Sequence, residues 1–154
     1  PVAAGLAARR IHRVIAADVE SVELEGRFDL VLALELFEHL TRQEEFLARM
    51  RGLLAADGAL LLSVPNVGHG ALVEDLIAGR FDYLPVGLLC YTHYRFFTRA
   101  ALERWFERGG FSRVEIVGQP LAPPAGLAER LAAAGLEVDR ESLATGGFFV
   151  VARI

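Results

Sequence analysis

Residues 28–39, FDLVLALELFEH, decide how this chain is read, because an apolar run passes directly into two carboxylates and an imidazole. After Asp29 the run to Leu34 is almost unbroken, the pattern of a strand covered on both faces in a parallel sheet flanked by helices. In open sheets of that kind ligands bind beyond the carboxyl ends of the strands. Glu35, Glu38 and His39 therefore start where a site belongs, and a helical continuation puts spacings of three and four on one side. The plainer alternative for this stretch alone is a solvated first turn whose glutamates favour the positive end of a helix dipole.

Working outward, PVAAGLAARRI reads as the end of a helix, and residues 12–17, HRVIAA, as a short strand stopping at Asp18. Downstream, Thr41-Arg42-Gln43-Glu44 has the form of a capping box opening a helix with Phe46, Leu47, Met50, Leu53 and Leu54 at helical spacing. Asp57-Gly58 is expected to end that element before a second buried strand, residues 59–64, which Pro65 and Asn66 close. Residues 67–79 read as a loop with a short helix. Residues 80–97 hold Phe81, Tyr83, Tyr91, Tyr94, Phe96 and Phe97, rings expected to leave water. Thr98 is placed to cap a helix in which Leu102, Trp105 and Phe106 share a face, and Gly109-Gly110 supplies a stop on which Phe111 folds back. Strands at residues 112–117 and 148–154, with a short helix at 127–134 between them, complete the pattern. Alternating strands and helices predict a three-layer α/β domain with a mostly parallel sheet. The short final connection lets the last strand return antiparallel.

A chain of 154 residues is expected to form one domain, and a hydrophobic fraction of 53% with a net charge of −4 describes a soluble globular protein. That balance lacks the bulk basicity of a nucleic-acid binder, so a nucleic-acid partner is not expected. No apolar stretch approaches the roughly 20 residues of a membrane span, and no charged-then-apolar leader opens the sequence. A single cysteine, Cys90, cannot form an internal disulfide, which agrees with a cytoplasmic location and assigns it to packing. Oligomeric state stays open. Residue 1 is Pro and the only methionine is Met50, so a piece of a longer protein is expected.

Taken in order, an acid after a short strand (Asp18), FDLVLALELFEHL, a capped helix, DGALLLSVPN and THYRFFTRAALERWFERGGF resemble the class I S-adenosylmethionine-dependent methyltransferases. The likeness is to the group that includes ubiquinone-pathway O-methyltransferases, and it covers residues 11–117 and the last strand. It implies a Rossmann-like sheet in the order 3-2-1-4-5-7-6 with the last strand antiparallel. On that pattern residues 12–17 are the third strand, 28–34 the fourth, 59–64 the fifth, 112–117 the sixth and 148–154 the seventh. The first two strands, the glycine-rich turn and the acid that holds the ribose have no counterpart. Residues 1–154 thus read as a partial methyltransferase domain with its N-terminal strands missing, a fragment expected to be inactive alone.

The resemblance implies S-adenosylmethionine as cofactor, with Asp18 accepting a hydrogen bond from the adenine amino group and Val19 packing near the ring. Leu34 and Glu35 would lie along its methionine side, where an acid suits a sulfonium. Asp18 read by itself is an ordinary Asx turn. Some relatives with Glu-x-x-Glu-His and a distant histidine bind a divalent metal, which here implies Glu35, Glu38, His39 and His93 as ligands. Such a mixed set suits Mn, Fe or Zn better than Mg. In other similar sequences these residues form a hydrogen-bonded wall without metal. Glu38, His39 and His93 are the candidate catalytic residues, with His39 able to act as general base. His12 and His69 read as a strand edge and a loop residue. Ser63-Val-Pro-Asn66 puts an amide near the expected acceptor or simply makes a turn, and it is not the Asn-Pro-Pro-aromatic motif of amino-group methylation on bases. Residues 80–97 would pack over the site as a lid, in which Arg95 meets an anion or makes a surface pair. The expected function is methyl transfer to an oxygen of a small molecule. The rivals are a noncatalytic methyltransferase-like interaction module and a dinucleotide-binding oxidoreductase, against which the absence of Gly-x-Gly-x-x-Gly counts.

Overall fold

The computed structural model describes residues 2–154, built around a four-stranded sheet. β1 (Phe28–Leu34) pairs in parallel with β2 (Leu54–Pro65), with Leu30 opposite Ala59 and Leu34 opposite Ser63. β4 (Thr145–Arg153) runs antiparallel between β2 and β3 (Arg113–Pro120), giving the order β1-β2-β4-β3. Three strands share one direction and only the last opposes them, the 4-5-7-6 half of the expected order. The connection from β3 to β4 holds the short helices α5 (Leu127–Ala133) and α6 (Arg140–Leu143), the second of which the sequence pattern does not announce.

The register puts Ala33, Leu62 and Val150 on one face, along with Leu60, Val64, Phe148 and Ala152, and all are buried. α2 (Gln43–Leu53) and α4 (Arg99–Arg108) contribute Phe46, Leu47, Met50, Leu102 and Phe106 to the same core. Phe37 is at its centre, stacked on Phe97 at 5.3 Å and edge-on to Trp105 at 6.0 Å. Thr98 caps α4, accepting from the Ala101 N–H at 3.3 Å, a contact whose loss costs about 1 kcal/mol. Gly110, at φ +74°, ends the helix, and Phe111 returns onto Phe106 at 5.4 Å. The opposite face of the sheet carries Leu32, Leu34, Val117 and Phe149, all exposed. Among the described residues no helix is long and apolar enough to cross a membrane.

Four expectations need correction. Residues 12–17 form no strand and follow α1 (Val2–Ala7) as irregular, mostly exposed chain. A strand exists only with a ladder partner, and in the order 3-2-1-4 two strands separate the third from the fourth, neither of which is present among the described residues. The Thr41 capping box does not form. Thr41 Oγ1 donates instead to Glu20 Oε2, while Glu20 Oε1 accepts the Thr41 and Arg42 N–H groups at 2.9 and 2.6 Å, so a distant carboxylate supplies the helix entrance. Asp57-Gly58 does not precede the second strand but lies inside β2, at a register break between the pairs Phe28–Leu54 and Leu30–Ala59. The backbone passes so close there that a Cβ on Gly58 would stand 2.6 Å from the Phe28 carbonyl. Finally, of the rings in residues 80–97 only Phe97 is buried, whereas Phe81, Tyr83, Tyr91 and Tyr94 are exposed. The helix-covered core is already filled by Phe37, Phe46, Phe97 and Phe106, and Phe81 packs on Tyr83 and Phe96 instead.

Candidate active site

At the carboxyl end of β1 the chain turns sharply, because Glu35 adopts φ +46°, the left-handed region that non-glycine residues rarely enter. Ser63, next door on β2, accepts the Glu35 N–H at 3.0 Å and donates to Glu35 Oε1 at 2.6 Å. The turn leads into a 3₁₀ turn, Phe37–His39, which drops Phe37 into the core and leaves Glu38 buried beside it. The Gln43 amide holds that turn by donating to the Leu40 carbonyl. Glu38 is 1% exposed, and neither carboxylate oxygen has a partner among the described residues. Burial pushes its carboxyl up to about 7, with the Glu35 charge adding to the shift and His39 opposing it. Its main-chain carbonyl accepts the N–H groups of Tyr94 and Arg95 at 2.8 and 3.2 Å, fastening the 80–97 connection to the turn.

That connection brings His93 against His39, with ring centroids 4.6 Å apart. His39 Nδ1 lies 3.0 Å from the Thr92 carbonyl and His93 Nδ1 2.9 Å from the Leu88 carbonyl. A carbonyl only accepts, so each Nδ1 carries the hydrogen and, in the neutral ring, each Nε2 carries a lone pair. Burial holds the His93 pKa below the ordinary histidine value, reinforced by His39 and opposed by the Leu88 contact. Glu38, His39 and His93 offer ligand atoms that all lie within 4.8 Å of one another. They line a cavity of about 550 Å³ with Glu35 and the apolar side chains of Val64, Pro85, Val86, Leu88 and Leu121. Its size and lining suit a small molecule.

The other singled-out residues fall differently. Glu35 lines the cavity but stands apart from the three-residue group, its carboxylate engaged by Ser63. Leu34 is exposed at the strand end, and Val19 packs on the core. Asp18 is exposed in an Asx turn, accepting the Glu20 N–H at 2.9 Å, and is not on the cavity wall. Asn66 does not face an acceptor. It is fully buried, donating to the Ser142 and Thr145 carbonyls at 2.9 and 2.7 Å and accepting from the Gly68 N–H. The Arg95 guanidinium donates to the Tyr94 carbonyl, and Cys90 packs at the cavity edge. Sequence reasoning missed Gln119 and His69 on the cavity wall. For His69 a signal existed, since it directly precedes the apolar-periodic segment that forms α3 (Gly70–Ile77).

The sequence model of one protein family, described as a methyltransferase domain, matches residues 3–116. The chain belongs to this methyltransferase family. The methyltransferase chain is 30% identical over 135 residues to the ubiquinone biosynthesis O-methyltransferase of Nitrobacter winogradskyi, covering 80% of this chain and 50% of that protein. It spans about half the length of the curated relatives it matches. A SAM-dependent methyltransferase of Thermotoga maritima superposes with a TM-score of 0.66 at 16% identity, covering 97% of this chain and 67% of that one. The 1,6-didemethyltoxoflavin-N1-methyltransferase of Burkholderia thailandensis does so with a TM-score of 0.58 at 22% identity, over 99% and 56% of the two chains. Both likenesses show that this chain has the fold of these methyltransferases.

Proposed function

We propose that this chain carries the acceptor-binding and proton-handling part of a cytoplasmic S-adenosylmethionine-dependent O-methyltransferase acting on a small molecule. The observation that supports it most is the convergence of Glu38, His39 and His93 on one cavity at the carboxyl end of the sheet. When bound, S-adenosylmethionine supplies a methyl group on a cationic sulfur. The residues present suit it: Glu35 puts a carboxylate at the end of β1, and Asp18 uses one carboxylate oxygen in its turn and keeps the other for an amino group. Asp18, Val19, Leu34 and Glu35 would hold it. His39, with its Nδ1 anchored on the Thr92 carbonyl, takes the acceptor hydroxyl proton at Nε2 as the oxygen attacks in line. His93 Nε2 orients that hydroxyl, and Glu38, ionised above about 7, stabilises the imidazolium that forms on His39. Pro85, Val86 and Leu88 give the cavity an apolar side for the body of the acceptor to cover.

The buried, unpartnered Glu38 oxygens favour a second reading of the same residues. A buried carboxylate with two anchored imidazole lone pairs is a donor set for Mn, Fe or Zn, held by Glu38, His39 and His93 with Glu35 behind them. Such an ion would supply Lewis-acid polarisation of an acceptor oxygen.

The test is methyl transfer by the full-length protein from labelled S-adenosylmethionine to panels of phenols, carboxylic acids and amines. Label should appear on oxygen acceptors and fall by roughly 10²- to 10⁴-fold in His39→Ala, the range of a lost general base. Label on amines alone, or none from a protein that binds the cofactor tightly, overturns the proposal.

A further inference from the structure

One group on the cavity wall has no part in that chemistry. His69 is 7% exposed and lines the cavity. It sits at the N-cap of α3, where its Nδ1 accepts the Ala71 N–H at 3.3 Å. A ring nitrogen that accepts holds a lone pair, so the hydrogen of the neutral ring is on Nε2. A charged ring would put a hydrogen on both nitrogens and break the cap. Nε2 is buried and has no partner among the described residues. The residue is also held in place. Its N–H bonds the Asn66 carbonyl at 3.2 Å, and Asn66 is itself locked between Gly68, Ser142 and Thr145. The following residue has no room to shift, since a Cβ on Gly70 would meet Pro123 Cβ at 2.8 Å. A fixed, buried N–H without an acceptor is costly unless something else fills the role.

We propose that His69 is a specificity contact whose Nε2–H donates to a neutral oxygen of the methyl acceptor other than the oxygen that is methylated. This rests on the cavity being the acceptor site, as proposed above. The substrate class it selects has an apolar body, matching Val86, Leu88 and Leu121, and carries a hydrogen-bond-accepting carbonyl or hydroxyl oxygen beside the reacting one. Because the donor is neutral, no negative charge on that oxygen is required. A buried, pre-oriented donor discriminates against analogues that lack the acceptor, since binding them leaves the N–H unpaired.

The test compares acetophenone with ethylbenzene as probes of the full-length protein, two molecules of similar shape that differ at the carbonyl oxygen. Wild type should bind acetophenone about three- to tenfold more tightly, the range of one net neutral hydrogen bond. Two variants separate binding from capping. His69→Asn keeps an oxygen for the Ala71 N–H but withdraws the donor from the cavity, so the preference should vanish while the melting temperature holds. His69→Gln reaches the cavity with an N–H but caps poorly, so the preference should survive a lower melting temperature. Equal affinities in wild type, or a preference retained in His69→Asn, overturn the proposal. The affinity ratio involves no cofactor. A protein that keeps the preference but transfers no methyl therefore supports the His69 contact and overturns the activity, and an active protein without the preference does the reverse.

Discussion

The Ser63 hydroxyl grips Glu35 at two points, accepting its backbone N–H at 3.0 Å and donating to its carboxylate at 2.6 Å. The contact joins the ends of two paired strands, so the β1–β2 register directly sets how the chain enters the cavity wall. Ser63→Ala should destabilise the protein by about 1–3 kcal/mol, because it strands a partly buried N–H and frees a left-handed residue. Glu35→Ala should cost less, since the N–H contact survives. Denaturant unfolding of both variants checks the order, and equal losses would rule out the backbone contact as the main term.

Glu38 couples stability to pH. Its carboxyl titrates at 4.5 when unexposed to the fold and at about 7 in it, so between those values the folded state keeps a proton that the unfolded state has released. Stability is therefore greatest below 4.5 and is lost as pH rises through about 7, by about 3 kcal/mol at 1.36 kcal/mol per pKa unit. Glu38→Gln should flatten this slope in chelator-treated protein, making the variant the more stable form at pH 8 and removing that advantage at pH 4. Parallel denaturation curves at the two pH values decide it.

Metal addition separates the two uses of the cluster. If Glu38, His39 and His93 hold an ion, Mn²⁺ or Zn²⁺ at a hundred times its Kd should stabilise the protein by about 2.7 kcal/mol. His93→Ala should abolish saturable binding. Glu35→Gln should weaken it by no more than about 10- to 100-fold, the range of an outer-sphere partner, because Ser63 already occupies that carboxylate. Calorimetric titration of wild type without saturable heat would leave the wall as a metal-free hydrogen-bonding surface.

An apolar sheet face is open to solvent, with Leu30, Leu32 and Leu34 exposed to 55%, 57% and 49%. The 154-residue chain in isolation should self-associate through it, and Leu32→Glu should shift the distribution toward monomer. Sedimentation velocity over a concentration series reads this, and a wild type that stays monomeric throughout would contradict it.

S-adenosylhomocysteine should bind that isolated chain weakly. Asp18 lies off the cavity wall and Leu34 is half exposed, so the cofactor residues this chain supplies do not by themselves enclose a ligand. Tight stoichiometric binding by calorimetry would place the cofactor contacts on other residues.

Much was legible because it is written locally. The apolar run of β1 has the bounds Phe28–Leu34 in sequence and structure alike, Thr98 caps α4 from three residues away, and Gly110 stops that helix where a left-handed residue is needed. The proximity of Glu38 and His39 follows from adjacency, whereas the connection before β4 holds two helices and allows either direction, so the antiparallel return is settled by pairing with β2 and β3. What only the tertiary structure decided depends on a partner distant in sequence. Thr41 could cap its own helix, but a carboxylate twenty-one residues earlier takes its hydroxyl. Residues 12–17 have a strand's composition and no neighbour to form a ladder with. Ser63 matters because Glu35 stands beside it across the sheet, and His69 because its unpartnered nitrogen is buried at a cavity built from several segments. Periodicity and capping act within a few residues and can be read along the chain. A hydrogen-bond partner or an exposed face is settled only when segments far apart in sequence meet.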